Sequence, residues 1–313
     1  MKKKRVLQLL VLALAFFCIM QHAFFASAQE DETGGGDGSG GGGGGGKQQA
    51  LSIKPDPKIV RTAVIGGMTM TKLWDEIARR FEAKTGYKVV VVATGPRTVL
   101  DPVFRAGGAD LLTMHSGDIT TDLVADGCGI NMRPWTRNDL VIVGPPSDPA
   151  KIKGLKDGVE AMRRIAQTQS PFIDALEIGG RELGHTLWNK AHIKPMGSWY
   201  LKDESAGERN ILLFAEQKNA YVIVGRMPVL YSKMPHKTIQ IMVEGDLLMR
   251  RPYIVMEANP KRFPDANYKG ARALSDFLLS EETQKFLAEF GTKEFGGLPL
   301  FYPVWPFGKE MPL

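Results

Sequence analysis

Residues 109–149, ADLLTMHSGDITTDLVADGCGINMRPWTRNDLVIVGPPSDP, constrain this chain more than any other segment. The apolar run at 109–114 is too short for a helix and ends abruptly at His115, Ser116, Gly117 and Asp118. That pattern predicts a buried parallel strand whose C-terminal end opens on a polar crevice. A helix follows, and the run from Asn138 to Pro145 then leaves as a second apolar strand. Upstream, 59–66 and 87–93 read as strands. They flank an amphipathic helix at 69–85, which carries Leu73, Trp74, Ile77, Ala78 and Phe81 on one stripe. Strand, helix and strand in this order make a βαβ unit and a parallel sheet, so the fold class is α/β.

After Pro145 and Pro149 the alternation resumes. A basic helical segment at 161–168 leads to a short strand at 172–176, a helix at 179–191 and a buried strand at 220–226. The run 247–256 reads as a returning strand, and 268–290 as the closing amphipathic helices. A second unit inserted into the first requires two crossings, expected near 143–149 and 243–248, and two crossings make a hinge. The expected division is residues 54–145 and 247–306 for lobe 1, 146–246 for lobe 2, and 307–313 for a C-terminal tail.

Here the chain resembles a known family through Ala109-Asp110-Leu111-Leu112 with His115, through Ala125-Asp126-Gly127, and through the eight residues from Asn138 to Pro145. It is similar to the tungstate-type extracytoplasmic solute-binding proteins of ABC importers, within the type II periplasmic binding protein superfamily, from about Val64 to Phe290. The resemblance implies a two-lobed type II periplasmic binding protein fold that captures a small solute, an oxyanion such as tungstate or molybdate among the candidates, for a permease and ATPase complex. A non-transport binding, sensor or accessory protein on the same fold is the alternative.

The N-terminus has the form of an export signal. Lys2, Lys3, Lys4 and Arg5 precede an apolar stretch at 6–20, and Ala26-Ser27-Ala28 supplies a small-residue cleavage site, so the mature protein is expected to begin at Gln29. The apolar stretch is shorter than the ~20 residues of a membrane span. The expected location is the periplasm. The leader carries four of the 40 basic side chains and none of the 34 acidic ones, so the +6 of the whole chain falls to +2. That near-neutral balance gives no reason to expect nucleic acid. Cys128, the cysteine remaining outside the leader, is either a buried small apolar residue or an exposed thiol. Residues 29–53 are dominated by glycine and offer little to pack, which predicts a flexible linker.

Ligand chemistry in such a fold belongs at strand ends and helix N-termini. In the first lobe Thr69, Met70 and Thr71 follow Gly66-Gly67 at a helix start, where hydroxyls and free amides suit an oxyanion, or where Thr69 merely caps the helix. His115 and Ser116 complete that rim, or His115 is a structural histidine, and Arg97 follows the second strand, where it either reaches the cleft or is a surface arginine. In the second lobe Gly179, Gly180 and Arg181 open the facing helix. The resembled proteins carry a Ser-Arg-Gly-Asp-x-Ser-Gly-Thr-His segment at this point. Aligned on Leu187-Trp188, its arginine falls on Asp174, its second serine on Ile178 and its threonine on Gly180. Their Asp-Arg pair after the 220–224 strand becomes Gly225-Arg226, while Glu244-Gly245-Asp246 and Pro252-Tyr253 are kept.

The scaffold is retained and the pocket rewritten. A carboxylate at the arginine position repels a dianion unless it is protonated or paired, for example with Arg181 or Arg226. Three outcomes remain open: a differently placed anion, a ligand bearing both donors and acceptors, or no small ligand. No Gly-x-Ser-x-Gly elbow, phosphate-binding loop or zinc spacing occurs, and His185 and His192 are not spaced i,i+4. No catalytic residue, metal ligand or cofactor is therefore expected, and the protein is expected to be monomeric. Intact-mass measurement of the exported protein should show the loss of 28 residues; a leader retained in the membrane fraction would refute the cleavage site.

Overall fold

A computed structural model of the chain describes residues 56–205, 207 and 210–308. The expected leader, the glycine-rich segment and the end of the expected tail lie outside the described residues. The chain runs β1 (Ile59–Ile65), α1 (Gly66–Met70), α2 (Leu73–Thr85), β2 (Lys88–Gly95), α3 (Arg97–Arg105), β3 (Leu111–His115), α4 (Asp118–Ala125) and β4 (Gly129–Gly144). It continues through α5 (Gly158–Thr168), β5 (Phe172–Asp174), α6 (Ile178–Lys190), β6 (Tyr200–Lys202), α7 (Ile211–Lys218), β7 (Tyr221–Gly225), α8 (Arg226–Leu230) and β8 (Gln240–Val243). A 3-10 turn at Leu247–Met249 then leads into β9 (Arg250–Ala258), α9 (Tyr268–Leu278) and α10 (Glu281–Glu289).

The strands form two sheets that share β4. In the first, the order is β2-β1-β3-β9-β4, parallel among β1, β2 and β3 and antiparallel on either side of β9. In the second, β8 and β7 flank the end of β4 antiparallel to it, and β5 and β6 continue outward in parallel. The expected parallel sheet is therefore parallel only in part, because β9 returns through the middle of the first sheet. Asp110, almost fully buried, explains the Ala-Asp-Leu-Leu motif. Its carboxylate accepts from Arg61 N at 2.7 Å, from Arg61 Nη2 at 2.6 Å and from Asn267 N at 3.0 Å, so it clips β1 and the start of α9 onto β3.

Burial on both faces accounts for the continuous apolar strands of the second sheet. Leu140 and Ile142 of β4, with Tyr221 and Ile223 of β7, pack on Ala161, Ile165, Leu187 and Trp188 from α5 and α6. The alternate residues Val141, Val143, Val222 and Val224 pack on the opposite side with Ile211, Leu212 and Ala215 of α7. A period-two chain covered on both sides requires this uninterrupted run. Cys128 is fully buried within the first core.

Three local expectations are corrected. The helix expected over 69–85 is two helices, because Lys72 turns left-handed at φ 60° after Thr71 bonds back to the Gly67 and Met68 carbonyls. The returning strand begins at Arg250; Asp246 accepts from Leu248 N at 2.9 Å and winds the preceding residues into the 3-10 turn. The first crossing lies inside β4, which pairs with β9 as far as Asp139 and with β7 from Leu140. One extended strand serves both sheets, and the prolines only end it. The backbone returns to the first sheet at Met249 and Arg250.

A further tie joins α8 to the C-terminal segment. Arg226 is 3% exposed; its Nε donates to Glu244 Oε2 at 2.9 Å, Nη1 to the Pro299 carbonyl at 3.1 Å and Nη2 to the Phe295 carbonyl at 3.1 Å. Arg226→Met should cost about 3 kcal/mol, since it strands a carboxylate and two carbonyls. Chemical denaturation checks this, and a loss under ~0.5 kcal/mol, the range of ordinary surface substitutions, would refute the strut.

Candidate functional site

A cleft of about 220 Å3 opens where the two sheets face each other. The first-sheet side contributes Arg97 at the start of α3 and His115 and Ser116 at the end of β3. From the second-sheet side α6 presents Gly179, Glu182, Leu183 and Thr186, one continuous helical face at i, i+3, i+4 and i+7. Residues 248–252, where the chain returns between the sheets, form the floor together with Leu140.

Arg251 is the central cation. It is one-fifth exposed, its Nε donates to Asn138 Oδ1 at 3.2 Å, and its Nη1 is buried without a hydrogen-bond partner. The nearest carboxylate, Glu177 Oε1, stands 3.7 Å from Nη1. Glu177 also caps α6, where its Oε2 accepts from Gly180 N at 2.7 Å. A carboxylate at a helix N-terminus is favoured by the free amides and the helix dipole. The chain's own side chain thus occupies the amide that an external oxyanion would use. Arg250, next along β9, lies 3.4 Å from Asp139 Oδ1 and stacks 3.5 Å over the Tyr302 ring.

Two further polar groups sit beside Arg251 with no partner. His115 Nε2 is shielded and unbonded, and its ring stacks at 4.2 Å on Tyr253. The Tyr253 hydroxyl is likewise buried and unbonded, and burial pushes its phenol above the ordinary value. Burial first, then the Arg251 and Arg97 guanidinium groups, hold the His115 imidazole well below 6.5. His115 is therefore neutral at neutral pH, and the positive charge on this rim comes from the arginines.

Of the residues expected from sequence, Arg97, His115, Ser116 and Gly179 line this cleft. The others lie elsewhere, each for an identifiable reason. Thr69 bonds to Thr94 Oγ1 at 2.8 Å and to the Gly66 carbonyl at 3.1 Å. Met70 packs against the first core, and Thr71 is buried with its hydroxyl turned back on α1. Met227 of α8 covers this loop, so closely that a methyl group on Gly67 would lie 3.2 Å from its Cε. Gly180 faces β7, where a methyl group would come within 2.5 Å of the Ile223 carbonyl oxygen, so glycine lets α6 approach the sheet. A side chain at Gly179 would force the Arg251 guanidinium to move.

Arg181 is exposed and is not among the residues lining this cleft, and the fully engaged Arg226 is a strut. Asp174 pairs with neither. Its Oδ1 lies 3.5 Å from His185 Nε2, and Tyr200 stands beside it with its phenol raised by burial and by that carboxylate. Arg251, Tyr253 and Glu177 were not singled out from sequence. The readable signal was the Arg250-Arg251 pair immediately before the retained Pro252-Tyr253.

The depressed His115 pKa sets a pH dependence. Above about 6.5 the imidazole is neutral folded or unfolded and costs nothing; as pH falls below 6.5 the unfolded state takes up the proton first, so folding stability drops. The slope attributable to this residue approaches about 1.4 kcal/mol per pH unit. In thermal melts from pH 7.5 to 5, wild type should lose stability relative to His115→Gln as pH falls, and parallel curves would refute the assignment.

Comparison with known proteins agrees with this architecture. Residues 62–293 match the family described as bacterial extracellular solute-binding protein. A putative ABC transporter anion-binding protein of Haloferax volcanii is 30% identical over 239 residues, 74% of this chain and 68% of that protein. The tungstate-binding protein TupA of Peptoclostridium acidaminophilum is 32% identical over 236 residues, 74% of this chain and 80% of its own. Among solved structures, the tungstate ABC transporter from Geobacter sulfurreducens is similar with a TM-score of 0.61 and 29% identity, covering 74% of this chain and 98% of that one.

Proposed function

Because the chain belongs to the bacterial extracellular solute-binding protein family, we propose that it captures a small anion in the cleft between its two sheets and delivers it to an ABC permease and ATPase. The observation that carries this reading is the shielded, unpartnered Nη1 of Arg251 at a cleft that Arg97 and His115 also line. A buried donor left unbonded costs free energy that an acceptor on the ligand would recover. The names of the Haloferax and Peptoclostridium relatives, anion-binding and tungstate-binding, support the same ligand class. The anion is placed differently from the site expected from the residues of the sequence: a return-strand arginine and a neutral histidine hold it, and the Gly179–Arg181 helix start does not.

The two crossings, within β4 and at Met249–Arg250, act as the hinge about which the lobes close on the ligand. The protein works as an exported monomer, released after Ala28, with the glycine-rich segment as a spacer before the folded body.

A thermal-shift screen with tungstate, molybdate, sulfate, phosphate and acetate tests the site, because a ligand bound only by the folded state raises Tm. At least one anion should shift the wild type. Arg251→Met should abolish the shift and Arg181→Ala leave it intact. Glu177→Gln, which keeps a capping acceptor but removes the competing charge, should enlarge it. Silence from all five anions, or a shift that survives Arg251→Met, would overturn the assignment.

A further inference from the structure

A second cavity of about 240 Å3 lies beside Arg251, on the other side of the Glu177 contact, between the start of α6, the β7–α8 junction and α7. Arg251 and Glu177 line it, but most of its wall is apolar, including Ile211, Ile223, Pro228 and Met234. Its carboxylates are already engaged. Asp203 accepts from Leu176 N and Ser205 N, both at 2.9 Å, and Glu177 accepts from Gly180 N at 2.7 Å. Among the described lining residues, Arg251 is the charged group with an unmet donor. One cation at the edge of an apolar chamber matches a ligand with one anionic end and an apolar body.

Two other observations agree. Leu176 and Ile178, on either side of Glu177, hold large apolar side chains 63% and 54% exposed. Leu176 lines the cavity, and Ile178 falls where the resembled proteins carry serine. In addition, the first cleft sets Glu182, and Arg251's neighbour Glu177, against Arg97 and Arg251, while Arg250 is matched by Asp139. That balance gives a dianion little net attraction, whereas a single carboxylate needs one arginine only.

We propose that the cavity beside Arg251 is a subsite for the apolar body of an organic monoanion whose carboxylate pairs with Arg251. The proposal rests on the anion reading of the cleft and deepens it by naming the ligand class. The space is equivalent to roughly eight water volumes, enough for a short alkyl chain or a single ring. Filling it with hydrocarbon adds apolar burial to the ion pair, and the gain should grow with each carbon until the chamber is full.

Calorimetric titration of the exported protein with acetate, butyrate, hexanoate, octanoate, benzoate and tungstate tests this. Affinity should rise about fourfold per methylene along the straight-chain series and then level off. Ala175→Leu, which adds atoms to the chamber wall, should flatten that rise while acetate binding persists; Met234→Ala, which enlarges the chamber, should move the plateau to longer chains. No dependence on chain length, with acetate or tungstate still bound through Arg251, would overturn the subsite and leave the anion site standing. A rise untouched by both variants would also overturn it. Failure of every anion to bind would overturn the anion reading and the subsite with it.

Discussion

The structure depends on one strand pairing with two sheets. β4 runs sixteen residues, paired with β9 over its first part, where the register shifts at 130–133 and 134–136, and with β7 and β8 over its last. At the changeover it carries two polar residues in a nearly sealed environment, Asn138 at 1% and Asp139 at 2% exposure. Such groups are costly unless partnered. Asn138 accepts from Arg251 Nε, Asp139 accepts from the Tyr302 hydroxyl at 2.6 Å, and Arg250 lies alongside. The need to satisfy β4 at the changeover thereby fixes where the two arginines of β9 stand. One of them is turned into the cleft.

How much of this was legible depends on which forces decide each element. Strands buried on both faces announce themselves, since every residue from Tyr221 to Gly225 must be compatible with a core. The end of β3 was legible for the same reason: the apolar run stops where the sheet meets the cleft, and His115 and Ser116 are there. The break between α1 and α2 was not legible. Thr71 can cap a following helix or bond back onto the preceding turn, and nothing local to these residues states that it does the second. The parallel reading of the sheet failed at β9 because nothing local to 250–258 states its partners.

The missed cation has a similar explanation. Arg181 and Arg251 look equivalent in sequence, each near a glycine or proline at the edge of an element. Their roles separate only in three dimensions. The helical face carrying Gly179, Glu182, Leu183 and Thr186 toward the cleft points Arg181 away, whereas Arg251 leaves β9 at the crossing and passes over Gly179. Arg226 was misplaced for the opposite reason: its donors are fully engaged by Glu244 and two carbonyls, which appear only once residues 295–299 fold back on α8.

The Glu177 carboxylate is what moves the proposed anion site away from the start of α6. An N-terminal helix amide is an anion site in most folds, but here the anion is covalently attached and pays none of the translational entropy that a free ligand must lose. A solute arriving from solution cannot compete on equal terms for the Gly180 amide. The donor that the carboxylate leaves unsatisfied is Arg251 Nη1, 3.7 Å away and too far for a hydrogen bond, and the proposed site is built on it. With opposite charges nearly matched around that donor, Coulomb attraction ranks anions weakly and apolar contact ranks them strongly. In the proposed site, discrimination then falls to the shape of the walls around Arg251, and the intramolecular cap on α6 shifts the basis of selectivity from charge to packing.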